Sequence, residues 1–133
     1  MKKEVTAILE KNKQGYYSCC VVDDLPRMTL IGYGRSAEEA KGDMLLAYRE
    51  IGDMMREEGE EVPELEFTYK YDLQSFFDYF SFLNVSKVAE IAGINPSLMR
   101  QYVSGVANAG QKQYDKVSVA VKKIARELAE STF

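Results

Sequence analysis

The sequence predicts an α+β chain in two parts: a strand-rich region with one helix over residues 1–70, and an all-helical region over 71–133. Two observations carry this. In the first part apolar residues repeatedly alternate with a period of two, the mark of half-buried strands. From Asp72 onward the period changes to 3.6 and stays there, as amphipathic helices require. A third observation, the charge, divides at nearly the same place. Residues 1–71 carry ten Lys/Arg against fifteen Asp/Glu, whereas residues 85–133 carry seven against four. An acidic half joined to a mildly basic half points to two tasks on one chain.

The elements follow in order. Val5, Ala7 and Leu9 alternate with Thr6, Ile8 and Glu10, which gives a first strand up to Lys11. Asn12-Lys13-Gln14-Gly15 is a turn in which Gly15 can take positive φ. Tyr16 to Val22, rich in aromatic and β-branched residues, is the return strand. Asp23-Asp24-Leu25-Pro26 breaks it, and a third strand runs from Met28 to Gly34. Ser36 then caps a helix, with Glu39 completing a capping box. Its apolar stripe is Ala40, Met44, Ala47, Ile51 and Met54 or Met55, and it ends near Gly59. The acidic run Glu57 to Glu61 before Pro63 is a solvated loop, and Leu65 to Tyr71 alternates again as a fourth strand.

Four helices make up the second part. Asp72 caps the first, whose face is Leu73, Phe76, Phe77, Phe80 and Leu83. The second begins at Ser86 and stops at Gly93, the third runs from about Pro96 to Ser104, and a loop over Gly105 to Gly110 leads into the fourth, with the stripe Val117, Val121, Ile124 and Leu128. Eight of the fifteen aromatic residues fall between Phe67 and Phe82. Core packing accounts for Phe76, Phe77 and Phe80. Tyr79 and Phe82 point elsewhere, so they are expected to seal the two parts together or to form a dimer interface.

Composition narrows the chemistry. Histidine is absent, which removes the commonest general base, the commonest metal ligand and every Ser-His or Cys-His pair. Cys19 and Cys20 are neighbours in a strand and face opposite ways, which disfavours both a mutual disulfide and shared metal binding. The expectation is a chain that is not an enzyme and needs no cofactor. With 46% hydrophobic and 29% charged residues it is globular in composition, and no apolar run approaches the ~20 residues of a membrane span. The N-terminus leads into alternating residues rather than a signal-peptide core, so a cytoplasmic location without membrane partners is expected.

The most specific pattern is Val85 to Ser104, which fits a helix-turn-helix. Two short helices crossing closely need a small residue in the first, and Ala89 supplies it. The turn four residues later needs a left-handed residue, and Gly93 is there. Val88, Ala92, Ile94, Met99 and Tyr102 fall at the offsets that seal both helices to a core. Pro96 suits the first turn of the following helix, with Asn95 as its cap. That packing leaves Pro96, Ser97, Arg100 and Gln101 facing outward, where a recognition helix reaches base edges. Arg100 can pair bidentately with guanine and Gln101 with adenine. Ser86 can offer its hydroxyl and N–H to a phosphate, and Lys87 and Lys112 can neutralise others. Operator DNA is therefore the expected ligand, bound through Ser86, Lys87, Asn95, Ser97, Arg100, Gln101 and Lys112 by a homodimer or higher homo-oligomer.

The order of elements also resembles a family. A hairpin, the break Asp24-Leu25-Pro26, Gly34 before the helix start Ser36-Ala37-Glu38-Glu39-Ala40, one more strand and then a DNA-binding module are similar to the HicB antitoxins. The second half looks like the Cro/repressor-type helix-turn-helix that some HicB-like proteins carry. The resemblance implies a partial ribonuclease-H-like first domain without ribonuclease activity. It also implies a HicA-like, mRNA-cleaving toxin as partner, blocked by that domain, and repression of the shared operon. One departure bears on the loop that would contact the toxin: the family often has glycine straight after its Leu-Pro, where this chain has Arg27-Met28.

Two other readings compete. One is a stand-alone dimeric transcription regulator without a toxin. The other is a metal-dependent nuclease, which needs carboxylates converging on two metals ~4 Å apart. Asp23 and Asp24 alternate faces, and Glu38, Glu39 and Asp43 suit a solvated helix face, which argues against the nuclease.

Overall fold

Val5, Ala7 and Leu9 project to one face of a ten-residue strand and are buried there, as their alternation requires. That strand, β1 (Lys2–Lys11), belongs to a computed structural model that describes residues 2–133. β1 turns through Asn12–Gly15 into β2 (Tyr17–Val21). The Asn12 side chain accepts from Gln14 N and Tyr16 N, and Gly15 adopts φ 89°. β3 (Ile31–Gly34), α1 (Ala37–Glu57) and β4 (Glu64–Tyr71) follow. The sheet order is β3-β2-β1-β4, with β4 parallel to β1 and the other pairs antiparallel. Then come four helices in succession: α2 (Leu73–Tyr79), α3 (Val85–Ala92), α4 (Pro96–Ser104) and α5 (Gln111–Ala129). The architecture is mixed α+β, with one four-stranded mixed sheet and five helices among the described residues.

α1 lies on the face that carries Val5, Ala7, Leu9, Tyr17 and Cys19, and contributes Ala37, Ala40, Met44 and Met55 to the same core. Of the two candidate methionines, Met55 is buried and Met54 is exposed. Ser36 caps the helix by accepting from Glu39 N at 3.1 Å. The fit against β3 leaves no room for a side chain. A Cβ at Gly32 would sit 2.2 Å from Met44 N and 2.5 Å from Ala40 O, and one at Gly34 would sit 2.4 Å from Glu39 Cβ. The two glycines thus let a helix backbone rest directly on a strand. α1 also saturates backbone groups on both edge strands. Asp43 accepts from Tyr33 N at 2.9 Å on β3, while the Tyr48 hydroxyl donates to Pro63 O at 2.6 Å and accepts from Leu65 N at 3.2 Å beside β4. Edges tied down in this way are poorer templates for pairing with another chain.

The chain divides into two compact units, Met1–Tyr79 and Phe80–Phe133, and not after residue 70. The difference is α2, which packs on the first unit for identifiable reasons. Asp72 accepts from Lys11 N at 3.0 Å and from Ser75 N at 2.8 Å, joining the end of β1 to the start of α2. At the other end of α2, Asp78 accepts from Ala37 N at 2.9 Å, placing a carboxylate on the first turn of α1. Lys41 of α1 lies 3.9 Å from the Tyr69 ring centre and 4.5 Å from that of Tyr79, with its Nζ 3.2 Å from the Tyr79 hydroxyl. Tyr79, one of the two rings expected at a seal or interface, is therefore half-buried against the core of its own unit.

Three other boundaries differ from the sequence reading. β3 begins at Ile31 rather than Met28, because Leu25 to Met28 forms a turn closed by Met28 N donating to Leu25 O at 3.4 Å. In that turn Pro26 stands at the second position and Arg27 takes φ 65° at the third, where glycine is usual. The first helix of the second half stops at Tyr79 instead of reaching Leu83, since Leu83 N turns back to Phe80 O at 3.0 Å. α3 starts at Val85, one residue before Ser86, because Asn84 is its cap.

In the second unit Val88, Ala89, Ile94, Met99, Tyr102, Val117 and Ala120 are buried. Ala89 is wholly so, as a close helix crossing demands. Ala92 stays partly exposed, although its spacing placed it in the seal. No helix among the described residues is long and apolar enough to cross a membrane.

Candidate nucleic-acid interface

Asn84 builds the first helix of the motif from its start. Its side chain accepts from Lys87 N at 3.0 Å, which satisfies one open donor of the first turn of α3. Gly93 ends that helix in the left-handed region, at φ 72° and ψ 32°, and nothing lies within 4 Å of a Cβ placed on it. Its requirement is conformational, not spatial. Ile94 N returns to Ala89 O at 2.9 Å, fixing the turn. Asn95 then caps α4, accepting from Ser97 N at 2.9 Å and Leu98 N at 3.3 Å, and Pro96 occupies the first turn. Gly93, the Asn95 cap and Pro96 stand where the sequence placed them, and Asn84 caps α3 two residues before the expected start at Ser86.

α4 is sharply two-faced. Met99 and Tyr102 are buried, Leu98 and Val103 are partly so, and Ser97, Arg100, Gln101 and Ser104 are exposed. Those four recur at helical spacing, so a single polar face of a nine-residue helix is presented outward. Ser104 had escaped the sequence reading, although its position seven residues after Ser97 could have revealed it. Its hydroxyl donates to Gln101 O at 3.2 Å.

The structure brings two of the candidate residues into contact. The Arg100 guanidinium donates to the Ser86 hydroxyl at 2.9 Å, from α4 to α3. Asn95, Ser97 and Gln101 share the helix that carries Arg100, but Asn95 Oδ1 is committed to the cap. Lys87 is exposed and forms an ion pair with Glu90 at 3.6 Å, of the solvated kind that contributes little. Lys112 is exposed in the first turn of α5, whose cap Gly110 supplies no side chain. Phe82 is 77% exposed, with its ring edge-on to Phe80 at 6.1 Å.

The second unit carries seven Lys/Arg against four Asp/Glu and the first ten against seventeen, so the outward face of α4 belongs to the basic unit.

Two of the groups that could serve chemistry in the first unit, Asp23 and Cys20, have structural partners. Asp23 accepts from Thr6 N at 2.6 Å, and Cys20 donates to Val21 O at 3.6 Å. Burial pushes the Cys19 thiol up to about 11, the direction that makes a thiol inert. Among the described residues no three Cys, Asp or Glu side chains are gathered as a metal site. No family model matches the chain, and no match emerges among curated proteins or solved structures.

Proposed function

We propose that this chain is a DNA-binding repressor of the antitoxin type. In this reading α4 enters the major groove and Ser97, Arg100 and Gln101 read base edges, while Ser86, Lys87 and Lys112 hold phosphates. The observation that carries it is the exposed polar face of α4 on a helix pair whose glycine turn, caps and alanine crossing all have helix-turn-helix form. Major-groove reading requires such a face, and a plain helical hairpin does not. Repression needs a longer site than one motif reads, so the protein acts as a dimer, and the exposed Phe82 is the residue we assign to that contact.

The first unit, in the same reading, neutralises a HicA-like toxin that cleaves mRNA, and carries out no catalysis itself. The support is the element order and the Leu25-Pro26 and Gly34–Ala40 motifs, together with the acidic charge of the unit, which suits a partner built to hold RNA. The location is cytoplasmic.

Co-expression of the full chain with the adjacent toxin-sized reading frame, followed by affinity capture and light scattering, tests the assignment. A stable complex that suppresses RNA cleavage by the captured protein is expected. Capture of nothing, with DNA binding intact, would leave a stand-alone regulator in place of an antitoxin.

A further inference from the structure

Arg100 has five N–H donors in a planar fork, and one of them is already engaged, on the Ser86 hydroxyl at 2.9 Å. The two residues lie on different helices, so the bond spans the turn rather than a single helical ladder. Each end is rigid. The Asn84 cap fixes the first turn of α3, the Asn95 cap fixes that of α4, and each helix is anchored by a fully buried residue, Ala89 on α3 and Met99 on α4. Arg100 itself is exposed, whereas Ser86 is half-buried. A free arginine on a helix surface samples many rotamers, and ordering it on binding costs affinity. Held at one nitrogen, it already points its remaining donors in a restricted direction.

A serine hydroxyl has one donor hydrogen and two acceptor lone pairs. At Ser86 one lone pair is used by Arg100, which leaves the hydrogen to be given to an acceptor outside the protein. One side chain can thus touch the DNA backbone and orient a base-reading side chain together.

We propose that Ser86 is a positioning residue for base recognition, and that sequence preference at the base pair facing Arg100 depends on the Ser86 hydroxyl. This rests on the DNA-binding reading above. It differs from a phosphate contact alone, which would strengthen binding to every sequence equally.

The test uses the full-length protein. Wild type is first used to select a duplex from a randomised 30-bp pool, and binding to that duplex and to a scrambled one is then measured for Ser86→Ala, Ser86→Thr, Arg100→Ala and the double variant across a salt series. We expect Ser86→Ala to lose about tenfold on the selected duplex and much less on the scrambled one, a loss within reach of one charge-assisted hydrogen bond. The preference for the selected over the scrambled duplex should be no smaller in the double variant than in Arg100→Ala, because both substitutions remove the same interaction and a phosphate contact of Ser86 adds to both duplexes alike. Ser86→Thr, which keeps the hydroxyl, should retain most of the preference, and thermal melts of all variants should match wild type. Equal losses on both duplexes with the salt slope unchanged, adding to the loss from Arg100→Ala, would overturn the proposal and make Ser86 a neutral phosphate contact only. So would a Ser86→Ala variant that binds like wild type. Selection of no sequence at all by wild type would instead remove the DNA-binding reading, and this inference with it.

Discussion

The Asp78 carboxylate accepts a hydrogen bond from the backbone N–H of Ala37 at 2.9 Å, so the last turn of one helix caps the first turn of another, 41 residues earlier. The charge of Asp78 also bears on the Tyr17 hydroxyl of β2 and, after burial, helps to hold its proton. These interactions make α2 part of the first unit. A fragment of residues 1–79 should fold, whereas a fragment of 1–70 should lack the Asp72, Asp78 and Tyr79 contacts and be markedly less stable. Asp78→Ala in the full chain should destabilise by about 1–3 kcal/mol, the cost of orphaning a partly buried donor. Urea melts of the two fragments and of the variant check this. Equal stability of both fragments would show that α2 is a passenger.

Gly32 and Gly34 let the backbone of α1 rest on β3. Gly32→Ala places a methyl group against Met44 N and Ala40 O, and neither backbone atom can move without shifting the helix. A loss of about 3 kcal/mol or more is expected, at the upper end of overpacking costs. Gly42→Ala, where nothing lies within 4 Å on the same helix, should be neutral or stabilising by up to about 1 kcal/mol. Similar thermal melts for the two variants would contradict the close contact.

The turn at Arg27 makes a comparison between two variants informative. Arg27 holds a left-handed backbone and forms ion pairs with Glu58 and Glu60. Ala and Gly both remove the ion pairs, but only Gly removes the strain. Arg27→Gly should therefore be more stable than Arg27→Ala by about 1 kcal/mol in chemical denaturation. Two variants of equal stability would mean that the backbone relaxes out of the left-handed region.

Much of this was readable from residue order. The alternation at Val5, Ala7 and Leu9 places β1, and Ser36, Gly93, Asn95 and Pro96 mark the ends of helices, because each acts within one turn of its own position. What could not be read depended on distant contacts. No local pattern shows that Asp78 will meet Ala37, or that Lys41 will occupy the rings of Tyr69 and Tyr79. The helical period begins at Asp72 and continues past Tyr79 without a break, so residue order does not mark where the two compact units divide. Serine suits a helix N-terminus, which places the expected start of α3 at Ser86, whereas Asn84, two positions earlier, is the residue that caps it. The Ser86–Arg100 bond depends on the angle between two helices, which the sequence does not specify.

Alkali should weaken the first unit in a definite range. Burial pushes Cys19 up to about 11 from its ordinary 9, and Tyr17 and Tyr71 up to about 12 from 10, with Asp78 adding to the effect on Tyr17. These groups are held neutral by the fold, so their contribution is complete below pH 9. It is lost as pH rises from 9 through 12, because the unfolded chain gives up those protons first. Unfolding free energy should be flat from pH 7 to 9 and then fall, and Tyr17→Phe should make the decline shallower. A stability that stays constant to pH 12 would show that these groups reach solvent.

The central claim is that the exposed face of α4 reads DNA sequence, and Arg100→Ala measured on two duplexes tests it most directly. With the full-length protein, affinity for a duplex selected by wild type should fall by about 1–3 kcal/mol, while affinity for a scrambled duplex of the same length changes much less. Equal losses on both, or no loss on either, would contradict the claim and leave this face of α4 without a role in sequence recognition.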